Sequence, residues 1–174
     1  YYSMYSEKEF TYNNIKQTNR NKLLWKDSTV DGLKTGWTQR AGYSLVASAN
    51  RVGMRLISAV LGSENSSVRL AETEKLLDYG FRFFEEKMVI EPGKIYGQAQ
   101  VWKGKSDSVQ MVARDQTELT IAKGMFNEIK SSVEVFEPVI APTPLDQPIG
   151  KITMKLEGKI IAESNLFPAE EVNE

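Results

Sequence analysis

From Gly42 to Ala49 the apolar residues Tyr43, Leu45, Ala47 and Ala49 alternate with Ser44, Val46 and Ser48. A period of two over this length predicts a strand with one buried face. Asn50-Arg51-Val52-Gly53 supplies a turn, and the next run, Met54 to Leu61, is almost continuously apolar. The two read as an antiparallel hairpin whose second strand is the more deeply buried. Helical spacing follows Asn65-Ser66-Ser67, where Asn65 or Ser66 is the expected N-cap. Leu70, Leu77, Phe81 and Phe84 then share one helical face, while Glu72, Glu74, Lys75 and Asp78 fall largely elsewhere. Such a helix is expected to pack on the sheet of the hairpin.

Past Glu86 the pattern changes to short alternating runs: Ile95 to Trp102, Ser108 to Val112, Thr117 to Ile121, Ser131 to Phe136, Gly150 to Leu156 and Lys159 to Ser164. Gly104, Gly124, Gly158 and the stretch from Pro138 to Pro148 mark turns between them. Strands at this spacing predict a small antiparallel sandwich. The chain is therefore read as α+β, in two parts: residues 1–88 with a long helix on antiparallel strands, and residues 89–174 as an all-β domain. A tail of that size buries only about 60% of its unfolded surface, yet domains of roughly 85 residues do fold alone.

Composition removes several classes of function. The 174 residues carry a net charge of −1 and no concentrated basic cluster, which argues against nucleic acid as a partner. No apolar run approaches membrane-spanning length. Cysteine and histidine are both absent. That excludes thiol nucleophiles, Cys-based metal sites and a Ser-His-Asp triad within this chain, and no metal or cofactor is expected. Hydrolytic chemistry would have to come from Ser, Thr, Lys or carboxylates. The opening Tyr1-Tyr2, without an initiator Met or a signal-peptide pattern, reads as part of a longer protein.

One short segment carries chemistry. Lys34-Thr35-Gly36 sets a cation, a hydroxyl and a side-chain-free position in a row, which suits a strand edge receiving a carboxylate and a carbonyl. Gly36 would let a substrate backbone come close. On residue chemistry alone, Lys34 competes with a solvated surface lysine.

The stretches Asn19 to Trp25, Val30 to Gly36, Ala41 to Ala49, Met54 to Gly62 and Glu74 to Phe84 closely resemble the low-molecular-mass, serine-type D-alanyl-D-alanine carboxypeptidases, which are penicillin-binding proteins of the bacterial cell wall. The likeness continues more loosely through the β-rich tail. It implies the C-terminal part of a β-lactamase/transpeptidase-like α/β domain, followed by a small antiparallel β domain. It also implies that Lys34 supports the proton network and the charge of the bound peptide, that Thr35 bonds the substrate's terminal carboxylate, and that Arg20 in Asn19-Arg20-Asn21 and Arg69 in Ser67-Val68-Arg69-Leu70 lie near the site, suited to two parallel hydrogen bonds to a carboxylate unless they instead tie a loop or helix end to backbone carbonyls. Trp37 departs from the pattern, because the family usually has a smaller or polar residue after the glycine.

The implied activity is removal of the terminal D-Ala from peptidoglycan pentapeptides through an acyl-serine intermediate, with inhibition by β-lactams. The expected location is the periplasm, on the outer face of the inner membrane, held there by a C-terminal amphipathic helix that this chain does not contain. Acylation needs a Ser-x-x-Lys nucleophile, and no such tetrapeptide occurs here. Ser48-Ala49-Asn50 and Ser63-Glu64-Asn65 match the letters of the Ser-x-Asn element but follow Lys34-Thr35-Gly36 in chain order, so both read as structural. The chain alone is expected to be inactive. The competing reading is a non-catalytic module whose β-rich tail binds a cell-wall assembly protein. A β-lactamase shares Lys-Thr-Gly but leaves the tail unexplained.

Overall fold

The structure is a computed structural model that describes residues 1–174. Its internal contacts divide the chain into two compact units, Tyr1–Glu85 and Glu86–Glu174. The division falls just ahead of the boundary read at Met88, which lies inside a strand.

The first unit opens with a 3₁₀ turn, Tyr2–Ser6, and a hairpin of β1 (Glu9–Tyr12) and β2 (Ile15–Thr18). Asn13 and Asn14, both at positive φ (49° and 60°), make its two-residue turn, a conformation that asparagine tolerates. A short helix α1 (Leu23–Lys26) leads to β3 (Val30–Thr38), β4 (Gly42–Arg51) and β5 (Met54–Ser63). These three strands form an antiparallel sheet in the order β3-β4-β5. Helix α2 (Ser66–Phe83) packs on it, and Asn65 caps the helix by accepting from Ser67 N at 3.0 Å and Val68 N at 2.9 Å.

Two expectations need correction. The more buried strand of the hairpin is the first one, β4: Leu45, Ala47 and Ala49 are at most 1% exposed. It is flanked on both sides, whereas β5 is an edge on which Ile57 and Leu61 stay 66% and 74% exposed. Apolarity alone cannot report which strand sits in the middle. The helix face is also rotated, because Arg69, Thr73 and Leu77 are its buried residues, Leu70 and Phe81 only flank the core, and Phe84 lies beyond the helix in the next strand. Small residues let α2 approach closely, and a β-carbon at Gly80 would collide with the side chain of Leu56. The core comprises Leu23, Leu24, Val30, Leu45, Ala47, Ala49 and Leu77.

In the second unit β6 (Phe84–Ile90), β7 (Ile95–Trp102), β8 (Ser108–Ala113), β9 (Thr117–Ala122), β10 (Lys130–Val135), β11 (Val139–Ile140), β12 (Gly150–Leu156) and β13 (Lys159–Pro168) are joined by turns. Six of them form a sheet in the order β10-β12-β13-β8-β7-β11, and β6 pairs with β9. Alternation buries Val109, Met111, Ile152 and Leu166 in one core. The six runs read from sequence are all strands. The proline-rich stretch read only as a turn also holds β11, which pairs parallel with β7.

Candidate functional site

β3 is the outer strand of its sheet, so one of its edges has no strand partner. A cavity of about 840 Å³ opens along that edge. Its floor and rim bring together every residue singled out above for chemistry: Arg20, Lys34, Thr35, Gly36, Trp37 and Arg69. They arrive from three directions. Arg20 comes from the segment after β2, residues 34–37 from β3, and Arg69 from the first turn of α2.

The charge of this cavity is one-sided. Four cations line it, Arg20, Lys22, Lys34 and Arg69, and no Asp or Glu is among the lining residues, in a chain whose overall charge is −1. Cationic walls beside low-dielectric protein focus potential on the space they enclose. The two arginines differ in setting. Arg20 is exposed, whereas Arg69 is only 6% exposed. Arg69 Nη1 donates to the carbonyl of Ser44 at 3.2 Å, and its guanidinium lies 5.7 Å from the ring of Tyr43. Its Nε is buried without a hydrogen-bond partner. Burial pushes this guanidinium below its usual range, with Tyr43 opposing the shift. An arginine so poorly satisfied within the protein is suited to an anion from outside.

Lys34 is exposed, and its Nζ donates to the carbonyl of Thr35 at 2.6 Å. The strand thus folds the lysine back over the motif. No packing requirement explains glycine at 36, since a β-carbon there would meet only Ser44 Cβ, at an ordinary 3.8 Å. Trp37 stands 58% exposed on the rim, tilted against Tyr43 with ring centroids 5.8 Å apart. The tryptophan therefore belongs to an aromatic wall that continues through Tyr43 to Arg69. Ser48 and Asn50, from one Ser-x-Asn look-alike, lie on β4, and Asn65, from the other, caps α2.

Several positioning residues carried no signal that the sequence reading used. Asn21, 1% exposed, donates through Nδ2 to the carbonyl of Gly32 at 3.0 Å and accepts through Oδ1 from Leu23 N at 3.2 Å. Asn19 accepts from Asn21 N at 2.9 Å and donates through Nδ2 to the carbonyls of Tyr5 and Glu7. On the far side of Gly32, Arg55 Nη1 pairs with Asp31 at 2.8 Å, and the Tyr2 hydroxyl donates to Asp31 at 2.9 Å while lying 2.9 Å from the Ser48 hydroxyl. This cluster holds the N-terminal turn, with Met4 and Tyr5 on the cavity, against β3. Lys22 lies at the cavity 4.5 Å over Trp25 and was likewise unmarked.

Comparison with known proteins agrees with this geometry. The D-alanyl-D-alanine carboxypeptidase family matches residues 1–65, and the C-terminal domain family of penicillin-binding protein 5 matches residues 84–174. The chain is 44% identical over 175 aligned residues to the D-alanyl-D-alanine carboxypeptidase DacC of Escherichia coli, covering 99% of this chain and 44% of that protein. DacA of the same organism is 45% identical, with 99% and 43% covered. Among solved structures, penicillin-binding protein 5 of Haemophilus influenzae superposes with a TM-score of 0.84 at 44% identity, covering 99% of this chain and 51% of that one. Penicillin-binding protein 6B of Escherichia coli gives 0.67 at 32% identity, with 95% and 43% covered. The chain thus spans less than half the length of the curated relatives it matches. By these matches the chain belongs to the penicillin-binding protein 5 family, with the D-alanyl-D-alanine carboxypeptidase model on residues 1–65 and the C-terminal domain model on residues 84–174.

Proposed function

We propose that this chain is the C-terminal portion of a D-Ala-D-Ala carboxypeptidase that trims the terminal D-Ala from peptidoglycan pentapeptides and is acylated by β-lactams. The observation that carries this reading is the convergence of four cations, and no carboxylate, on a cavity along the free edge of β3. A peptide that ends in a free carboxylate can add to such an edge as an extra strand, main chain to main chain, while its terminus meets the cations. Thr35 and Arg20 hold that carboxylate, and Arg69 supplies buried positive charge behind it. Lys34 stabilises the charge that develops at the scissile carbonyl and shares its proton network. Gly36 leaves room for the substrate backbone, and Trp37 closes the rim.

The nucleophile in this reading is a Ser-x-x-Lys serine outside these 174 residues, carried by a longer protein in the periplasm. The isolated chain is inactive. The test is fluorescent penicillin labelling of the longer protein and of the 174-residue chain, with D-Ala release from an acylated tripeptide measured in parallel. Labelling of the longer protein ahead of Tyr1, together with D-Ala release, supports the reading. A longer protein that neither labels nor releases D-Ala sinks it, and a labelled isolated chain overturns the placement of the nucleophile.

A further inference from the structure

The β1–β2 hairpin contributes little to the packing of its own unit. All eight strand residues are exposed, yet the two faces differ in chemistry. Phe10 pairs with Gln17 and Tyr12 with Ile15, so alternation places these four on one face. Glu9, Thr11, Lys16 and Thr18 occupy the other, where Lys16 Nζ and Glu9 Oε2 form a 2.7 Å ion pair. A ribbon that served only as a solvated turn would be polar on both faces. Instead Phe10, Tyr12 and Ile15 are exposed by 63%, 67% and 61% on one side.

The base of this ribbon is fixed and leads into the site. Asn19 N donates to the carbonyl of Lys8 at 2.8 Å, and Asn19 Nδ2 to that of Glu7 at 3.0 Å. Gln17, Thr18, Asn19 and Arg20 all line the cavity. Gln17 from the apolar face and Thr18 from the polar face both belong to the cavity wall, so the ribbon leaves the site with Phe10, Tyr12 and Ile15 beyond the wall on the side of Gln17.

We propose that this face binds the sugar-bearing end of the substrate, so that the enzyme reads a peptide together with the glycan it hangs from. The inference rests on the carboxypeptidase reading above. With the last two residues of an extended pentapeptide at β3, the three that precede them span about 10 Å. Phe10 stands opposite Gln17 at the cavity mouth, and the Tyr12–Ile15 pair lies two residues, about 7 Å, further along. In this proposal a stem that leaves the cavity past Gln17 runs along the hairpin by Phe10, and the sugar attached to it lies on Tyr12 and Ile15. Their chemistry matches: aromatic rings offer flat apolar surface to the C–H face of a pyranose, while the Tyr12 hydroxyl and the Gln17 amide serve its hydroxyls.

The test uses the longer protein, with the triple variant Phe10→Thr, Tyr12→Thr, Ile15→Thr, in which threonine keeps the preference for strand while removing the apolar face. A second variant, Tyr12→Thr alone, covers any failure of the triple to fold. Affinity is measured for a sugar-bearing tetrapeptide, which lacks the cleavable terminal residue, and kcat/KM for an acylated tripeptide ending in D-Ala-D-Ala. The expected result is a Kd for the sugar-bearing ligand raised about tenfold by loss of two ring contacts, with kcat/KM on the tripeptide within about twofold of wild type. An unchanged Kd overturns the proposal. So does an equal loss on both ligands with a lowered Tm, which would mean the face packs within the longer protein. Failure of the wild type to cleave the tripeptide refutes the carboxypeptidase reading instead, and the Kd comparison still decides the role of the hairpin.

Discussion

Replacing Arg69 with Met separates a guanidinium that serves the fold from one that serves a ligand. An arginine buried for stability is normally saturated with partners, and losing it costs about 3–5 kcal/mol. Arg69 has one hydrogen bond to Ser44, one ring face at 5.7 Å, and a buried Nε with nothing to bond. The lost hydrogen bond is worth about 1.5–3 kcal/mol and the ring contact about 0.5–1 kcal/mol. Relief from holding a desolvated charge offsets much of this, and the methionine stem keeps the packing of the aliphatic part. The net loss is expected to stay under about 2 kcal/mol, read by urea unfolding of the 174-residue chain with tryptophan fluorescence. Under the proposed function the bound carboxylate loses the positive charge behind it, about 2–4 kcal/mol at an effective dielectric of about 20, so kcat/KM for D-Ala release by the longer protein should fall roughly 30- to 1000-fold. A stability loss above about 3 kcal/mol, with kcat/KM within about threefold of wild type, would show that Arg69 is structural and refute the argument.

Three further predictions rest on other parts of the first unit. Val52, at φ 52° and fully exposed, holds a β-branched side chain in a left-handed turn ahead of Gly53, so Val52→Asn should stabilise the chain by about 1 kcal/mol in urea unfolding. Burial alone would raise the Asp27 carboxyl, but hydrogen bonds from Thr29 and Arg51 outweigh it and hold the group below its ordinary 3.8. A carboxylate lowered in the folded state contributes stability that is present above pH 3.8 and lost as pH falls through its folded value, so Asp27→Asn should flatten the acid limb of a stability–pH curve below about pH 4. Equal acid slopes for variant and wild type would contradict this. Asn21→Leu strands the buried carbonyl of Gly32 and the N–H of Leu23, and at about 1–3 kcal/mol each it should cost roughly 2–5 kcal/mol in thermal or urea unfolding; a loss below about 1 kcal/mol would show those groups are satisfied otherwise.

Much of this fold was legible because periodicity reports directly on burial. Strands β8 and β9 alternate in burial along their length, β4 does so from Leu45 to Ala47 before Ser48 is buried as well, and Asn65 announces the start of α2 by accepting from its first free N–H groups. What stayed hidden follows from the same rule. β3 carries Asp31, Gly32, Lys34, Thr35 and Gly36 among its nine residues and shows no apolar rhythm, because its free edge faces the cavity rather than the core. Only its motif marked it. Residues Tyr1–Thr18 bury nothing fully, so a pattern that reports on a core says nothing of the N-terminal turn, and the short alternation about Asn13-Asn14 is the hairpin's one signal. The order of strands in the sheet is a long-range fact, and so the apolar run of β5 reads as the more deeply buried strand of its hairpin although it lies at an edge.

The segment Asn19-Arg20-Asn21 shows how a functional residue and its scaffold can be written together in sequence and still be read apart. Arg20 draws attention because a cation suggests a ligand. The asparagines on either side look like ordinary loop residues. In the structure they take opposite tasks. Asn19 binds the hairpin base and the N-terminal turn, whereas Asn21 reaches the carbonyl of Gly32 beside the bulge at the start of β3. Arg20 is thus carried on a backbone held from both sides, and the hairpin, the turn and the motif strand are brought to one cavity by two amides. Asparagine suits this because one side chain offers both an acceptor and two donors, so a single residue can join two backbone segments without adding charge. An aspartate at either position would lose the donors and place a carboxylate beside Arg20 and Lys22, opposing the positive field on which the proposed recognition of a free peptide terminus rests.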